Sequence, residues 1–337
     1  MENITIKQIA EMAGVSVSAV SIVLNGKKGV SESTRQRILD IIKNKNFTPN
    51  VNSRRLILQR SFNILLAIDP DMSPLNNFFY TAVLNSIVER GSELGYNIVL
   101  ITNTNSFENS RLAYTLSQHN ADGIIFLCDI PSELEYSIKQ TKTPFVVVDS
   151  QRSAPSHPCI RADYKLAAYC ATKYLIENGH NKIGFIGMER IQDYYLHSFA
   201  GYKAALSEAG LPVSLDWIQS DAYDEMSAKN CIAKILESAE RPTAVYCTGD
   251  IFAIGAMNYL QDTGYVLPDD FSVCSVDDIA LSQYYHPALT TIRIEKSEMG
   301  ILAVNMLDNL INKIETETIV TVRSDELLIR NSVARIN

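Results

Sequence analysis

The first 25 residues contain the pattern that most restricts how this 337-residue chain folds. Apolar side chains in 6–13 recur at i, i+3, i+4 and i+7, the spacing of one helix face. Thr5 stands three residues before Gln8, as in a capping box, and Ser16 is placed to cap a second helix. Gly14 between them can adopt the positive φ that a tight turn needs. The pattern predicts two short helices joined by a turn.

A third helix should follow, capped by Ser31. The predicted inward-facing residues are Val20, Val23 and Leu24 on the second helix and Ile38, Leu39, Ile41 and Ile42 on the third. A helix-turn-helix presents its second helix to the major groove of DNA. The pattern alone fits a purely structural helix pair equally well, so the choice depends on the rest of the chain.

Charge is distributed unevenly along the chain. Residues 1–60 carry ten Lys/Arg and four Asp/Glu, a net charge of +6, whereas the remainder carries 20 and 34, a net charge of −14. A small basic segment attached to a large acidic one favours a nucleic-acid-binding module joined to a body that avoids phosphate.

From residue 61 the chain alternates between strand and helix patterns. Predicted strands lie at 64–69, 97–102, 123–127, 144–149, 182–187, 243–247 and 272–277. Predicted helices lie at 78–94, 107–119, 131–140, 194–209, 225–238 and 251–263. Two consecutive series of this kind predict two lobes with parallel sheets, and ligands of such sheets bind at the carboxyl ends of the strands.

Several segments carry a resemblance to a known family. They are AGVSVSAVSIVLNGKKGVSESTRQRIL with FTPN, LIENGH followed by KIGFIG, TAVYCTGDIFAIGAM, LPDDFSVCSVDD and HPALTTIRIEKSEMGILA. Together they extend over almost the whole chain, which resembles the LacI/GalR family of bacterial transcription regulators. The resemblance implies an all-α helix-turn-helix headpiece plus an α/β body of two periplasmic-binding-protein-like, doubly wound parallel sheets.

The resemblance also implies the domain organisation. The headpiece is expected at 1–49, a hinge helix or linker at 50–60, lobe one at 61–161 and 292–322, and lobe two at 162–291 and 323–337. The lobes should hold a homodimer, because one head buries too little surface for tight, specific DNA binding. The expected DNA site is therefore a pseudo-palindromic operator.

The residues expected to contact DNA lie in the head and hinge. They are Thr5, Ser16, Val17, Ser18, Ser21, Ile22, Asn25, Asn50, Arg54, Arg55 and Leu56. Leu56 matches the family leucine that wedges into the minor groove. Ile22 stands where the family commonly has an arginine, so a guanine contact is lost and the base preference should differ.

The residues expected to bind an effector between the lobes are Asp69, Asn77, Phe79, Asp149, Ser198, Tyr223, Gly249, Asp250 and Asp277. Ser198 replaces a family arginine that clamps ligands, and Gly249 replaces a family asparagine. A cleft that keeps Asp149 and Asp277 without that arginine should disfavour anions. We therefore expect a neutral sugar or polyol. A partner protein docked on lobe one is the alternative signal.

Other function classes lack their motifs. The sequence contains no GxGxxG after the first strand, no P-loop, no GxSxG and no HExxH, so neither an enzyme nor a metal site nor a cofactor is expected. The six cysteines show no CxxC pairing and are expected to be free thiols. Without an 18-residue apolar run or a secretory peptide, a cytoplasmic protein with no membrane contact is expected.

Overall fold

The structure is a computed structural model that describes residues 4–24, 28–45, 60–69, 75, 77–102 and 110–336. The chain separates into two compact units, divided between Phe62 and Asn63. We call the first unit the head and the second the body. The predicted fold class, a helical head followed by an α/β body, is confirmed.

The head contains three helices in its described residues: α1 (Ile6–Ala13), α2 (Val17–Leu24) and α3 (Glu32–Asn44). The predicted capping box is present, since the Gln8 amide donates to Thr5 Oγ1 at 3.3 Å and the Thr5 amide donates to Gln8 Oε1 at 2.8 Å. Gly14 ends α1 in the left-handed region at φ 61° and turns the chain into α2.

The later caps also form as predicted. Ser16 Oγ accepts from the Ala19 amide at 3.2 Å, and Ser31 Oγ accepts from the Thr34 amide at 3.3 Å. The head core consists of Ile9, Ala10, Ala13, Val20, Val23 and Ile38, with Leu24, Ile41 and Ile42 packed against it. Leu39 was predicted to be inward-facing and this was wrong: its side chain is 41% exposed, because the neighbouring Ile38 takes the inner face.

The body contains two six-stranded sheets. In chain order the strands are β1 (Asn63–Ile68), β2 (Asn97–Thr102), β3 (Gly123–Leu127), β4 (Phe145–Val148), β5 (Cys159–Ala162), β6 (Ile183–Ile186), β7 (Ile218–Gln219), β8 (Ala244–Cys247), β9 (Ser272–Asp277), β10 (Thr290–Arg293), β11 (Ile319–Val322) and β12 (Glu326–Leu328). Lobe one has the order β11-β5-β4-β3-β1-β2 and lobe two has β12-β10-β9-β8-β6-β7. Neighbours are parallel except β10 and β12.

Helices cover the faces of both sheets. They are α4 (Phe78–Glu93), α5 (Arg111–Ser117), α6 (Ser132–Thr141), α7 (Tyr164–Glu177), α8 (Gln192–Glu208), α9 (Glu225–Leu236), α10 (Asp250–Asp262) and α11 (Lys296–Ile311). Three pairs pack closely: α4 with α11 in lobe one, and α7 with α8 and α9 with α10 in lobe two. Each of the seven strands predicted above begins and ends within one residue of its observed bounds.

The chain crosses between the lobes three times: after β5, after β10 and after β11. β5 continues to Ala162 and β10 to Arg293, so residues 292 and 293 belong to the sheet of lobe two rather than lobe one. Among the described residues, no single helix has the length and apolar character to span a membrane, although the bent pair α1–α2 meets those two criteria together.

Candidate functional site

A cavity of about 750 Å³ lies where the carboxyl ends of the strands of both lobes meet. Its described lining residues are Asn77, Phe78, Phe79, Tyr80, Cys128, Asp129, Asp149, Gln151, Tyr164, Met188, Arg190, Ile191, Tyr194, Tyr223, Asp224, Glu225, Gly249, Ile251, Phe252, Asp277 and Ile279. The volume suits a small molecule. Aromatic rings and carboxylates dominate the wall.

Asp149 follows β4 and anchors the wall of lobe one. Its Oδ2 accepts from the Tyr80 hydroxyl at 2.8 Å, and its Oδ1 accepts from Tyr164 at 3.1 Å and from Gln151 Nε2 at 2.9 Å. Burial raises the pKa of Asp149 to about 7, although these three donors oppose that shift. Because Tyr164 belongs to α7 of lobe two, this carboxyl group also joins the lobes.

Asp277 ends β9 and faces the cavity from lobe two. Burial, and next the charge of Asp250, raise the pKa of Asp277 well above its ordinary value, while Lys296 opposes the shift. Gly249 allows this carboxylate to come close: a Cβ at position 249 would lie 3.3 Å from Asp277 Oδ2. A side chain at position 249 would therefore crowd the Asp277 carboxylate, and glycine leaves room beside it.

Asp250 has an interior role. It is fully buried, and its carboxylate accepts from Ser275, Ser282 and Thr291 hydroxyls at 2.5–2.6 Å and from the Ile279 amide at 2.8 Å. All of these donors belong to lobe two. Asp250 thus fixes the loop that follows β9 and its last residue, Asp277. Asp250 does not itself line the cavity.

An exposed cation lies at the cavity wall. The Arg190 guanidinium carbon lies 4.9 Å from the centroid of the Tyr223 ring, a distance typical of a cation–π contact. Arg190 thus occupies one face of the ring of Tyr223, a residue that was expected to bind the effector. Among the described lining residues, Arg190 is the one cationic side chain. Five lining side chains carry carboxyl groups: Asp129, Asp149, Asp224, Glu225 and Asp277.

The predicted effector residues divide into two groups. Asn77, Phe79, Asp149, Tyr223, Gly249 and Asp277 line the cavity. Asp69, Ser198 and Asp250 are outside its described lining. Ser198 is fully buried on the inner face of α8, so a short side chain there ends in the core, and Asp69 lies after β1.

Sequence reasoning missed several cavity residues. Cys128 and Asp129 follow β3, Gln151 lies three residues after β4, and Met188 follows β6 by two. The strand-end rule that selected Asp149 and Asp277 applies equally to these four residues. Tyr194 gave no such signal, because its place depends on how α8 packs against α7.

The head presents part of the predicted DNA-reading face. Thr5, Ser16, Val17 and Ser18 are exposed, whereas Ser21 and Ile22 are partly buried. Asn25, Asn50, Arg54, Arg55 and Leu56 lie outside the described residues. The free cysteines expected from the sequence are free, five of them buried and Cys170 partly so. The described residues contain no cluster of three or more metal-ligating side chains.

A helix-turn-helix head and a two-lobed body with a cavity between its lobes define the class of ligand-controlled transcription regulators. The family model for bacterial regulatory proteins of the lacI family matches residues 5–50, and that for a periplasmic binding protein-like domain matches residues 172–333. The chain is 32% identical over 332 residues to the HTH-type transcriptional repressor PurR of Histophilus somni, covering 98% of both chains. It is 32% identical to PurR of Vibrio parahaemolyticus, covering 99% of both.

Solved structures share this fold. The lac repressor dimer bound to operator and the anti-inducer ONPF superposes with a TM-score of 0.81 at 22% identity, covering 99% of this chain and 100% of that one. The transcriptional regulator CelR in complex with cellobiose gives a TM-score of 0.73 at 25% identity, covering 98% and 99%. The chain belongs to the LacI family of bacterial regulatory proteins and is a DNA-binding transcriptional repressor, not an enzyme.

Proposed function

We propose that the repressor acts as a homodimer on a pseudo-palindromic operator, with the effector cavity controlling the spacing of its two heads. The supporting observation is the exposed α2 face, with Val17 48% exposed and Ser18 beside it. One such head covers less DNA than specific binding needs, and a two-fold dimer doubles the contact. This function places the protein in the bacterial cytoplasm with the chromosome.

The organisation that we propose follows the sequence: a headpiece at 1–49, a hinge at 50–60, and lobes that begin at residue 61. In this organisation Thr5, Ser16 and the outer face of α2 contact the operator, together with Asn25, Asn50, Arg54 and Arg55. Leu56 supplies the minor-groove wedge.

Selection from fragmented genomic DNA with the full-length protein at low salt tests this proposal. The expected result is an enriched motif with two inverted half-sites. Leu56→Ala should weaken binding to that motif and leave nonspecific binding nearly unchanged, because wedging is specific to the bent operator. Enrichment of no motif, or equal operator affinity in Leu56→Ala, would contradict it.

We propose a neutral, polyhydroxylated effector, a sugar or polyol, in the cavity. Five lining carboxyl groups against Arg190 disfavour an anion: burial favours the neutral forms of Asp149 and Asp277, and neither form of a carboxyl group supplies the positive charge that would offset an anionic ligand. Carboxylates accept hydrogen bonds from hydroxyl groups, and Phe79 and Phe252 offer apolar ring faces. The related CelR, whose solved complex contains cellobiose, supports this class. A cavity of about 750 Å³ between the two lobes favours a small molecule over a docked protein.

A thermal-shift screen of neutral sugars, sugar phosphates and nucleobases tests the effector class. Neutral sugars or polyols should stabilise the wild type, and Asp277→Ala should abolish that shift, because Asp277 lines the cavity. Asp269→Ala, an exposed aspartate of the same lobe, is the control and should keep the shift. Stabilisation by phosphorylated or carboxylate compounds alone, or an undiminished shift in Asp277→Ala, would refute a neutral effector.

A further inference from the structure

Lys296 stands at the second crossing between the lobes, as the first residue of α11. Its ammonium donates to the carbonyl of Asp277, to the carbonyl of Asp278 at 3.1 Å and to the carbonyl of Ile294 at 3.2 Å. Three acceptors occupy all three donors of an ammonium group. Burial lowers the pKa of Lys296, and the adjacent carboxylate of Asp277 favours its charged form.

The backbone of Lys296 is fixed to lobe one. α11 packs against α4 and strands β3 and β4. A Cβ at Gly300, one turn along, would lie 2.1 Å from Ser86 Oγ and 2.6 Å from the Val83 carbonyl, so the two helices are in direct contact. The ammonium also lies 5.8 Å from the ring centroid of Phe79, a cavity residue of lobe one. The helix that carries Lys296 must therefore move with lobe one.

The carbonyls that Lys296 binds are fixed to lobe two. Asp277 and Asp278 have φ values of 123° and 53°. Residues other than glycine keep such backbone conformations only where the surrounding structure fixes them. Asp278 is held by Arg293 Nε at 3.0 Å and by Arg330 Nη2 at 2.6 Å. This turn therefore moves with lobe two, and one of its two residues, Asp277, lines the cavity.

We propose that Lys296 is a positioning residue that joins the two lobes beside the cavity and passes the state of the cavity to lobe orientation. A ligand in the cavity that contacts Asp277 of lobe two or Phe79 of lobe one contacts a residue that lies beside the Lys296 ammonium. The inference rests on the proposed function, in which lobe orientation sets the spacing of the heads. A ligand can shift such an equilibrium only through contacts that differ between the two orientations.

Hydrogen–deuterium exchange of the full-length, ligand-free chain tests this role. Lys296→Met keeps the length of the side chain and removes its three donors. Amides of 276–282 and 78–82 should exchange at least about tenfold faster, with those of β3 and β8 at the sheet centres unchanged. The distance distribution from small-angle scattering should broaden. Lys165→Met, which alters an exposed lysine of α7, should change neither measurement.

Affinity for the duplex found by genomic selection gives a second measurement. Lys296→Met should change it at least about threefold without any ligand, because freed lobes alter the population of the binding orientation. Unchanged exchange at both segments, or faster exchange throughout both sheets, would overturn the proposal. Lys296→Gln, which keeps a polar end, should give the same local pattern if the Met variant does not fold. A failed selection or ligand screen contradicts the proposed function without altering the exchange result.

Discussion

At the scale of single residues, Asp149 links burial to a measurable titration. Burial raises the pKa of Asp149 to about 7, whereas an aspartate in an unfolded chain has a pKa of about 3.9. Between these two values the folded chain holds a proton that the unfolded chain has released. Stability contributed by this group is therefore fully present below about pH 4 and is lost as the pH rises through about 7.

Asp149→Asn should consequently stabilise the protein at high pH. The amide stays neutral, so we expect a Tm about 2–4 °C above the wild type at pH 8, corresponding to about 1 kcal/mol, and a difference that vanishes toward pH 4. Thermal unfolding at several pH values measures it. Asp269→Asn, at an exposed site, should follow the wild type throughout. If the Tm of Asp149→Asn instead rises relative to the wild type as the pH falls, the folded chain stabilises the charged carboxylate of Asp149 and not its protonated form.

The strand-end rule predicted the cavity residues Asp149 and Asp277 but also selected Asp69 and Asp250, which lie outside the described cavity lining. Asp149 and Asp277 were found because the carboxyl ends of parallel strands face one edge, whatever the surrounding packing. Ser198 lies on a helix, where a rotation of about 100° per residue decides between cavity and core. The sequence of α8 is apolar or aromatic on several sides, so its pattern left that rotation open.

At the scale of elements, glycines set how closely helices pack. Gly201 on α8 faces α7, and a Cβ there would lie 2.1 Å from the Lys165 carbonyl and 2.9 Å from Ala168 Cβ. Gly255 on α10 meets the Glu225 carbonyl of α9 in the same way, at 2.3 Å. These contacts join backbone to backbone, so no flexible side chain can move aside.

Gly201→Ala should therefore destabilise the body. Alanine raises helix propensity by about 1 kcal/mol over glycine, but separating two packed helices costs about 1–3 kcal/mol, so we expect a net loss. Denaturant unfolding followed by circular dichroism measures it. Ser207→Ala, an exposed change on the same helix, is expected to be neutral or slightly stabilising. A gain in stability from Gly201→Ala would mean that α7 and α8 have room between them.

Element bounds could be predicted better than element faces. Thr5, Gly14 and Ser31 are local signals, and each performs its predicted role because a cap depends on three or four neighbouring residues. The prediction that Leu39 faces inward was wrong because α3 has several apolar positions. Which of them faces inward depends on α1 and α2, whose positions cannot be read from the periodicity of α3 alone.

At the scale of the whole molecule, composition separated the head from the body before any contact was known. The +6 charge of residues 1–60 and the −14 of the remainder suit a head that binds phosphate and a body that repels it. The three crossings between the lobes came from family resemblance. Alternation of strands and helices predicts two doubly wound sheets, but does not indicate that β10 and β11 belong to different lobes.

The most direct test of the account is the salt dependence of operator affinity. Fluorescence anisotropy with the full-length protein and a labelled duplex carrying the selected motif gives Kd at several salt concentrations. Each neutralised phosphate contributes about −0.9 to the slope of log affinity against log salt, so 6–10 contacts reduce affinity by roughly 10³–10⁵ between 50 and 200 mM. We predict a slope that corresponds to about 6–10 neutralised phosphates. The selected motif should be bound more tightly than a scrambled duplex at every salt concentration. A salt-independent affinity, or equal affinity for both duplexes, would contradict the account.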